Sequence, residues 1–331
     1  MKVLTNEQID ITLWEEFVAG NPHATPFQTW DYYRLLIGGK QSSGQAVCVI
    51  GEERILALAV IHIQRERGIK GFFSRRGVIF GGPLVDPSFP EAMDLLLKAI
   101  HGLHRHRVIY METRNLSDFS SYRNVFEVNG WVYHEHLNCV LGIENREQVL
   151  SGMSESRRRQ IRMSIDNGAT WEECSSLEDL EELYSLLNEL YSKEVRLPLP
   201  SLGFFTAIYK LWFGKIFIVK HDGRIIGGSI CPVLENRSIY TFYYYGLKDY
   251  HKKIFPTHLA LMAAIEYALQ NGIGKVDFMG AGKPGKDYGV RDYKLKFGCE
   301  LQEQGRFLKI ESPLLYRIGE TGLKITRRLG L

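Results

Sequence analysis

The sequence predicts an α+β fold built twice over, as two successive domains at residues 1–147 and 148–331, each a mixed, mostly antiparallel sheet flanked by helices. Three observations predict it. The 331 residues are 45% hydrophobic and 24% charged, enough to bury two cores of ordinary size and too apolar for a disordered chain. In the second half, runs of helical period and runs of strand length follow in the order helix, three strands, helix, strand, loop, and two final strand-like runs. The first half offers a shorter version of that order at low residue identity, so what recurs is a plan of elements and not a sequence repeat.

The second half begins after a polar stretch, ENREQVLSGMSES, followed by a short helix that carries Arg157, Arg158, Arg159 and Arg162. A solvated helix face is the reading of that cluster, with nucleic acid, a lipid pyrophosphate or an acidic surface as the alternative partner. Leu180, Leu183, Tyr184, Leu187, Leu190 and Tyr191 then share one face of a helix, and Ser175 with Glu178 has the spacing of a capping box. KIFIVKHDG, RIIGGSICPVLE and RSIYTFYYYGL read as an antiparallel meander with turns at Asp222-Gly223 and Glu235-Asn236. PTHLALMAAIEYALQNG is a helix that stops at Asn271-Gly272, and KVDFMG a short strand. KFGCELQE and GRFLKIE read as the two last strands. In the first half, AVCVIGE and RILALAVIHIQ are strands around a Gly51-Glu52 turn. Met93, Leu96, Leu97 and Ile100 line one helix face behind a Ser88–Glu91 cap. VIYMETR is a strand, and a helical piece, DFSSYRNVFEVNG, leads into WVYHEHLNCVLGI.

Composition excludes several classes. A net charge of +3 is too small for a nucleic-acid coat, so an anionic ligand must meet a local basic patch. The five cysteines, Cys48, Cys139, Cys174, Cys231 and Cys299, are an odd count without metal spacing and read as buried reduced thiols. Histidines 101, 104 and 106, and 134 and 136, lack an obvious ligand set, so no metal is expected. No apolar run has the length of a membrane span and no secretory leader is visible, so a cytoplasmic protein is expected. The last twenty residues, from Ser312, form a basic amphipathic helix or pair of helices that packs on the body or touches the inner membrane face.

The densest candidate site is Asp277 to Glu300, DFMGAGKPGKDYGVRDYKLKFGCE. A strand runs into a glycine-rich loop, with Gly280 and Gly282 able to approach a ligand closely, and Lys283, Lys286, Arg291, Lys294 and Lys296 follow. Gly280 to Lys286 fits G-x-x-x-x-G-K, but Asp287 stands where a nucleotide loop needs Ser or Thr, and Pro284 removes an amide. A triphosphate loop is therefore rejected.

The run YYYGLKDYHKKIFPTHLALMAAIEYALQNGIGKVDFMGAGKP…GVRDYKLKFG resembles the C-terminal signature of the FemAB family, and FQTW at Phe27 to Trp30 resembles its N-terminal element. The resemblance implies two tandem GNAT-like domains. It also implies an aminoacyltransferase that moves an amino acid from aminoacyl-tRNA to the side-chain amine of a peptidoglycan precursor, without a cofactor. Carried over by residue, it implies that Lys294 stabilises the charge of the attacked ester. Arg34 and Arg196 would meet phosphate and Tyr244 and Tyr245 the acceptor, while Gly280, Gly282 and Arg291 are expected at the substrate from the pattern of the glycine loop itself. Two departures qualify it. Between Ser154 and Asn167 there is no room for the helical arm of FemA-like members, and Leu247 to Pro256 lacks the glycines with which acetyltransferases of this fold bind the pyrophosphate of coenzyme A. An N-acyltransferase using acyl-CoA or another activated donor on a sugar or amine, and a non-catalytic binding protein, stand as alternatives.

Overall fold

A computed structural model describes residues 1–38, 42–66, 70–195, 199–211 and 213–329. The chain divides into two compact units, residues 1–135 with 304–331, and residues 136–303.

Among the described residues the first unit has one sheet of eight strands: β1 (Lys2–Thr5), β2 (Ser42–Gly51), β3 (Arg54–Gln64), β4 (Arg76–Gly81), β5 (Leu84–Val85), β6 (Tyr110–Asn115), β7 (Val132–His134) and β16 (Arg306–Ile310). Their order is β1-β2-β3-β4-β6-β16-β7, with β5 on β3, and only β4 and β6 pair in parallel. The helices are α1 (Ile11–Gly20), α2 (Trp30–Ile37), α3 (Lys70–Phe73), α4 (Ala92–His104), α5 (Arg123–Val128) and α12 (Pro313–Leu329). One sheet face buries Val47, Val49, Ile61 and Ile79 against Met93, Leu96, Leu97 and Ile100 of α4, the stripe that helical spacing predicts. The Ser88–Glu91 cap is not formed: Ser88 N–H donates to Asp86, and Glu91 is itself the N-cap without a side-chain bond.

In the second unit the strands are β8 (Leu137–Gly142), β9 (Thr170–Glu173), β10 (Gly214–His221), β11 (Arg224–Leu234), β12 (Ser238–Tyr240), β13 (Tyr243–Gly246), β14 (Lys275–Gly280) and β15 (Glu300–Glu303). They run in the order β15-β8-β14-β12-β11-β10-β9, with β13 on β11. Around this sheet lie α6 (Arg146–Gly152), α7 (Glu155–Asp166), α8 (Leu177–Leu190), α9 (Leu202–Lys210), α10 (Pro256–Gln270) and α11 (Gly289–Leu295). The expected meander is present. Asp222 and Gly223 take positive φ of 49° and 74°, the pair that a tight hairpin with right-handed strand twist requires. The third run breaks into β12 and β13 at Thr241-Phe242, and α8 is capped by Ser176, one residue beyond the expected Ser175.

Strand pairing moves the expected domain boundary from 147/148. β8 precedes that boundary in sequence, but it lies between β14 and β15. β16 follows the boundary, but it lies between β6 and β7, and its Phe307 stacks on Phe126 of α5 at 4.0 Å. The cysteine expectation is also corrected: Cys139 of β8 is disulfide-bonded to Cys299 beside β15, while Cys48, Cys174 and Cys231 are free and buried.

Candidate active site

Two neighbouring strands part in the second unit. β12 and β14 run parallel, Ile239 opposite Val276 and Tyr240 opposite Asp277. Thr241 N–H still donates to the Asp277 carbonyl at 3.0 Å, but Phe242 N–H turns to the Ile230 carbonyl at 3.1 Å. From there β13 stays on β11 and β14 continues against β8. Parallel strands that separate at their carboxyl ends leave the kind of crevice in which open sheets bind ligands.

The end of β14 is bent at this point. Met279 takes a positive φ of 62°, and the register with β8 shifts between Asp277 and Gly280. A non-glycine residue in that region costs about 1–2 kcal/mol. The Asp277 Oδ1, which accepts from Met279 N–H at 2.6 Å, offsets that cost locally. The bend aims the Gly280 carbonyl at α11, where the Lys294 Nζ donates to it at 2.8 Å. Lys294 is the sixth residue of a seven-residue helix and only 4% exposed.

The electrostatics follow from burial. Loss of solvation pushes the Lys294 ammonium down to about 8, partly opposed by the Asp277 charge. It pushes the wholly buried Asp277 carboxyl up to about 6, opposed by Lys275, the Met279 amide and Lys294. The Asp277 Oδ2 is buried and meets no hydrogen-bond partner among the described residues. Between those values both groups are charged, a cation and an anion in one dry place.

The layer behind Lys294 is built from α7, α10 and α11. Arg157 departs from the expected solvated arginine face, being only 1% exposed. Its guanidinium lies 4.3 Å from the ring centroids of both Tyr293 and Phe297, and Nη2 donates to the Tyr293 carbonyl at 3.1 Å. This is a cation at the C-terminal end of α11, where the helix leaves carbonyls unpaired. Arg158 donates to the Leu150 and Met153 carbonyls at 2.6 and 2.7 Å, so only Arg159 and Arg162 remain on an exposed face. Burial and the Arg157 and Lys296 charges push His258 down to about 3, so its ring is neutral. The neutral ring fits its partners: Nε2–H donates to Gln160 Oε1 at 3.1 Å, and Nδ1 accepts from the Tyr293 hydroxyl at 3.0 Å. Arg157, Gln160 and His258 thus hold Tyr293, the residue next to Lys294.

The other candidate residues divide. Gly280 ends β14 and Gly282 lies in the loop after it, and their carbonyls accept from Lys294 and from Leu137 N–H. Arg291 spends Nε and Nη2 on the Ala281 and Lys283 carbonyls, at 2.8 and 2.5 Å, and so braces the glycine loop from within. Tyr244 is packed against the core that includes Phe297, with its hydroxyl pushed upward by burial and by Tyr293 and Tyr288 nearby. Tyr245, the next residue of β13, points to the opposite face. Arg34 is a half-exposed residue of α2 in the first unit, paired with Asp31 at 3.4 Å. Arg196 lies outside the described residues. No cluster of potential metal ligands occurs among the described residues.

Sequence reasoning missed Arg157, Gln160 and His258 as site neighbours. For Arg157 a signal existed: it shares its helix face with Ile161 and Ser164, four and seven residues on, and all three are buried.

Residues 155–295 match the acetyltransferase (GNAT) domain family. Among solved structures, FemX aligns over 96% of this chain and 99% of its own, with a TM-score of 0.74 at 15% identity. The C-terminal domain of a putative lysylphosphatidylglycerol synthetase from Agrobacterium fabrum aligns over 96% and 95%, at 0.61 and 13%. A tandem GNAT protein from the clavulanic acid biosynthesis pathway aligns over 94% and 99%, at 0.57 and 11%. No curated protein matches the chain in sequence. At these identities the likeness is one of fold, and at that level it bears out the resemblance and the fold class read from the sequence: the chain has a FemX-like, two-domain α+β GNAT fold, and its residues 155–295 match the acetyltransferase (GNAT) domain family.

Proposed function

We propose that the chain is an acyltransferase of FemAB type that moves an amino acid from aminoacyl-tRNA to the side-chain amine of a peptidoglycan precursor in the cytoplasm. The observation that carries this reading is the buried Lys294 ammonium, 2.8 Å from the Gly280 carbonyl where β13 and β14 part. When an amine attacks an aminoacyl ester, negative charge gathers on the carbonyl oxygen. A preorganised cation in a dry site offsets that charge far better than water does. Lys294 has three N–H donors and commits one to Gly280, which leaves two for the oxyanion. The buried Asp277 carboxylate favours the charged form of that lysine.

The donor is argued from the segment between β13 and α10. Residues 247–255 contain no glycine, and α10 has no side-chain cap at Phe255. Its approach therefore lacks the glycine-lined amides that usually cradle a pyrophosphate. The acyl-CoA reading keeps a specific support in the match of residues 155–295 to an acetyltransferase domain and in Lys248, Lys252 and Lys253, exposed ahead of α10. Thermal shift with acetyl-CoA, UDP-muramyl-pentapeptide and aminoacyl-tRNA separates the two, because a ligand raises the midpoint of the fold it binds. Stabilisation by acetyl-CoA alone would reverse the order.

Lys294→Met, at an unchanged melting midpoint, is expected to slow transfer of radiolabelled amino acid from tRNA to muramyl-pentapeptide by about 10²- to 10³-fold, the usual cost of losing an oxyanion donor. A folded Lys294→Met protein with full turnover removes the assignment.

A further inference from the structure

One end of the first unit's sheet gathers apolar and cationic side chains from three separate segments. β4 and β6 are parallel, with Arg76 opposite Tyr110, and β16 runs antiparallel to β6, with Ile310 opposite Tyr110. The starts of β4 and β6 and the end of β16 therefore coincide. Ile109 N–H donates to the Arg75 carbonyl at 2.8 Å, and Glu311 and Ser312 N–H both donate to the Ile109 carbonyl, at 2.9 and 3.0 Å. What enters or leaves the sheet here is α3, the 105–109 turn and α12. α12 lies close on α3, since a side chain at Gly319 would sit 3.4 Å from the Phe73 carbonyl.

This end is not finished as a protein surface usually is. Phe72 is 54% exposed, Phe73 39%, Leu314 72% and Ile318 46%, the last two one turn apart on α12. Exposed large side chains are ordinary when scattered; adjacent elements that offer four of them mark a contact surface. Most of the charges around them are positive, with Glu320 as an exposed acid on α12. Arg105, Arg107 and Arg317 are exposed, and the Arg75 guanidinium lies 5.0 Å over the Phe72 ring. The Glu311 carboxylate is turned inward, 2% exposed and 2.9 Å from His101.

We propose that this end of the first unit, made by α3, the 105–109 turn and the start of α12, docks on anionic phospholipid bilayers. Aromatic and aliphatic tips between arginines suit the headgroup boundary, where the apolar atoms leave water and the guanidinium groups stay with phosphate. A second copy of the chain is the poorer occupant, because a two-fold contact would press the same arginines against one another.

The test is co-sedimentation of the full chain with vesicles of phosphatidylcholine alone and of phosphatidylcholine with phosphatidylglycerol. Binding is expected to the anionic vesicles, falling as salt rises. The double variant Phe72→Ser/Leu314→Ser should bind about tenfold more weakly, and Arg107→Glu/Arg317→Glu should lose the salt-dependent part. These side chains are exposed, so both variants should keep the wild-type melting midpoint; a second pair, Phe73→Ser/Ile318→Ser, replaces the first if it does not. Three results overturn the proposal: no binding of the folded chain to anionic vesicles, binding that the folded variants leave unchanged, or a concentration-dependent dimer that the apolar variant abolishes without any vesicle binding.

Discussion

Lys294 and Asp277 constrain each other through charge, and the constraint has a sign. Burial pulls the lysine down to about 8 and lifts the carboxyl to about 6, so each group gains from the other's ionised form. The ammonium is the form that offsets an oxyanion, so transfer is expected to decline as pH rises through about 8. Asp277→Asn tests the pairing cleanly. Asparagine keeps an oxygen for the Met279 N–H that holds the bend of β14, and removes only the charge. Without that charge the lysine loses a proton more easily, and the alkaline limb of the rate profile should move to lower pH. A move of one unit costs about tenfold in rate at a fixed pH on that limb. Single-turnover rates across pH for both proteins check it, and a limb that stays in place would show that Asp277 does not act on Lys294. Neither the bend nor the pair could be read from the residues alone. An aspartate in an apolar strand announces that something is buried with it, but not what.

At the scale of elements, the junction between β13 and α10 fixes where the sheet opens. Gly246 ends β13 against the first turn of α10, where any side chain would collide with the Thr257 nitrogen and the Pro256 carbonyl carbon. Gly246→Ala should therefore force the strand and helix apart and destabilise the fold by about 1–3 kcal/mol, the usual cost of overpacking. Urea unfolding measures it, and an unchanged midpoint would mean that the junction relaxes freely. The long elements around this junction were legible because their periods are long. α10 shows fifteen residues of helical pattern, and the meander alternates between two well-marked turns. α11 was not legible. Its seven residues are too few to display a period, and it is held by bonds that no local window contains: Arg157 to the Tyr293 carbonyl and Lys294 to Gly280. The same reason hides Arg157, whose charge reads as solvent-facing while its partner is the Tyr293 carbonyl, 136 residues away.

For the whole molecule, the order of elements announced two similar domains, but it could not announce that one is inserted in the other. Linear reading places a boundary where composition turns polar, and residues 144–156 are polar. Pairing obeys a different rule, since a strand belongs where its backbone groups find partners. β8 precedes the polar stretch yet fills the gap between β14 and β15, and β16 follows the second unit yet returns to lie between β6 and β7. The consequence can be measured on fragments. A chain of residues 136–303 retains every strand of the second sheet and both Cys139 and Cys299, so it is expected to unfold in a single cooperative transition. Residues 148–331, cut at the boundary that composition suggests, lack β8. That leaves β15 without its only partner strand among the described residues and exposes an edge of β14, and the fragment also carries β16 with its Phe307 deprived of Phe126. An unpaired central edge and an uncovered aromatic strand favour aggregation over folding. Circular dichroism during urea titration distinguishes the two, and a cooperative 148–331 fragment beside an unfolded 136–303 would refute the nested division.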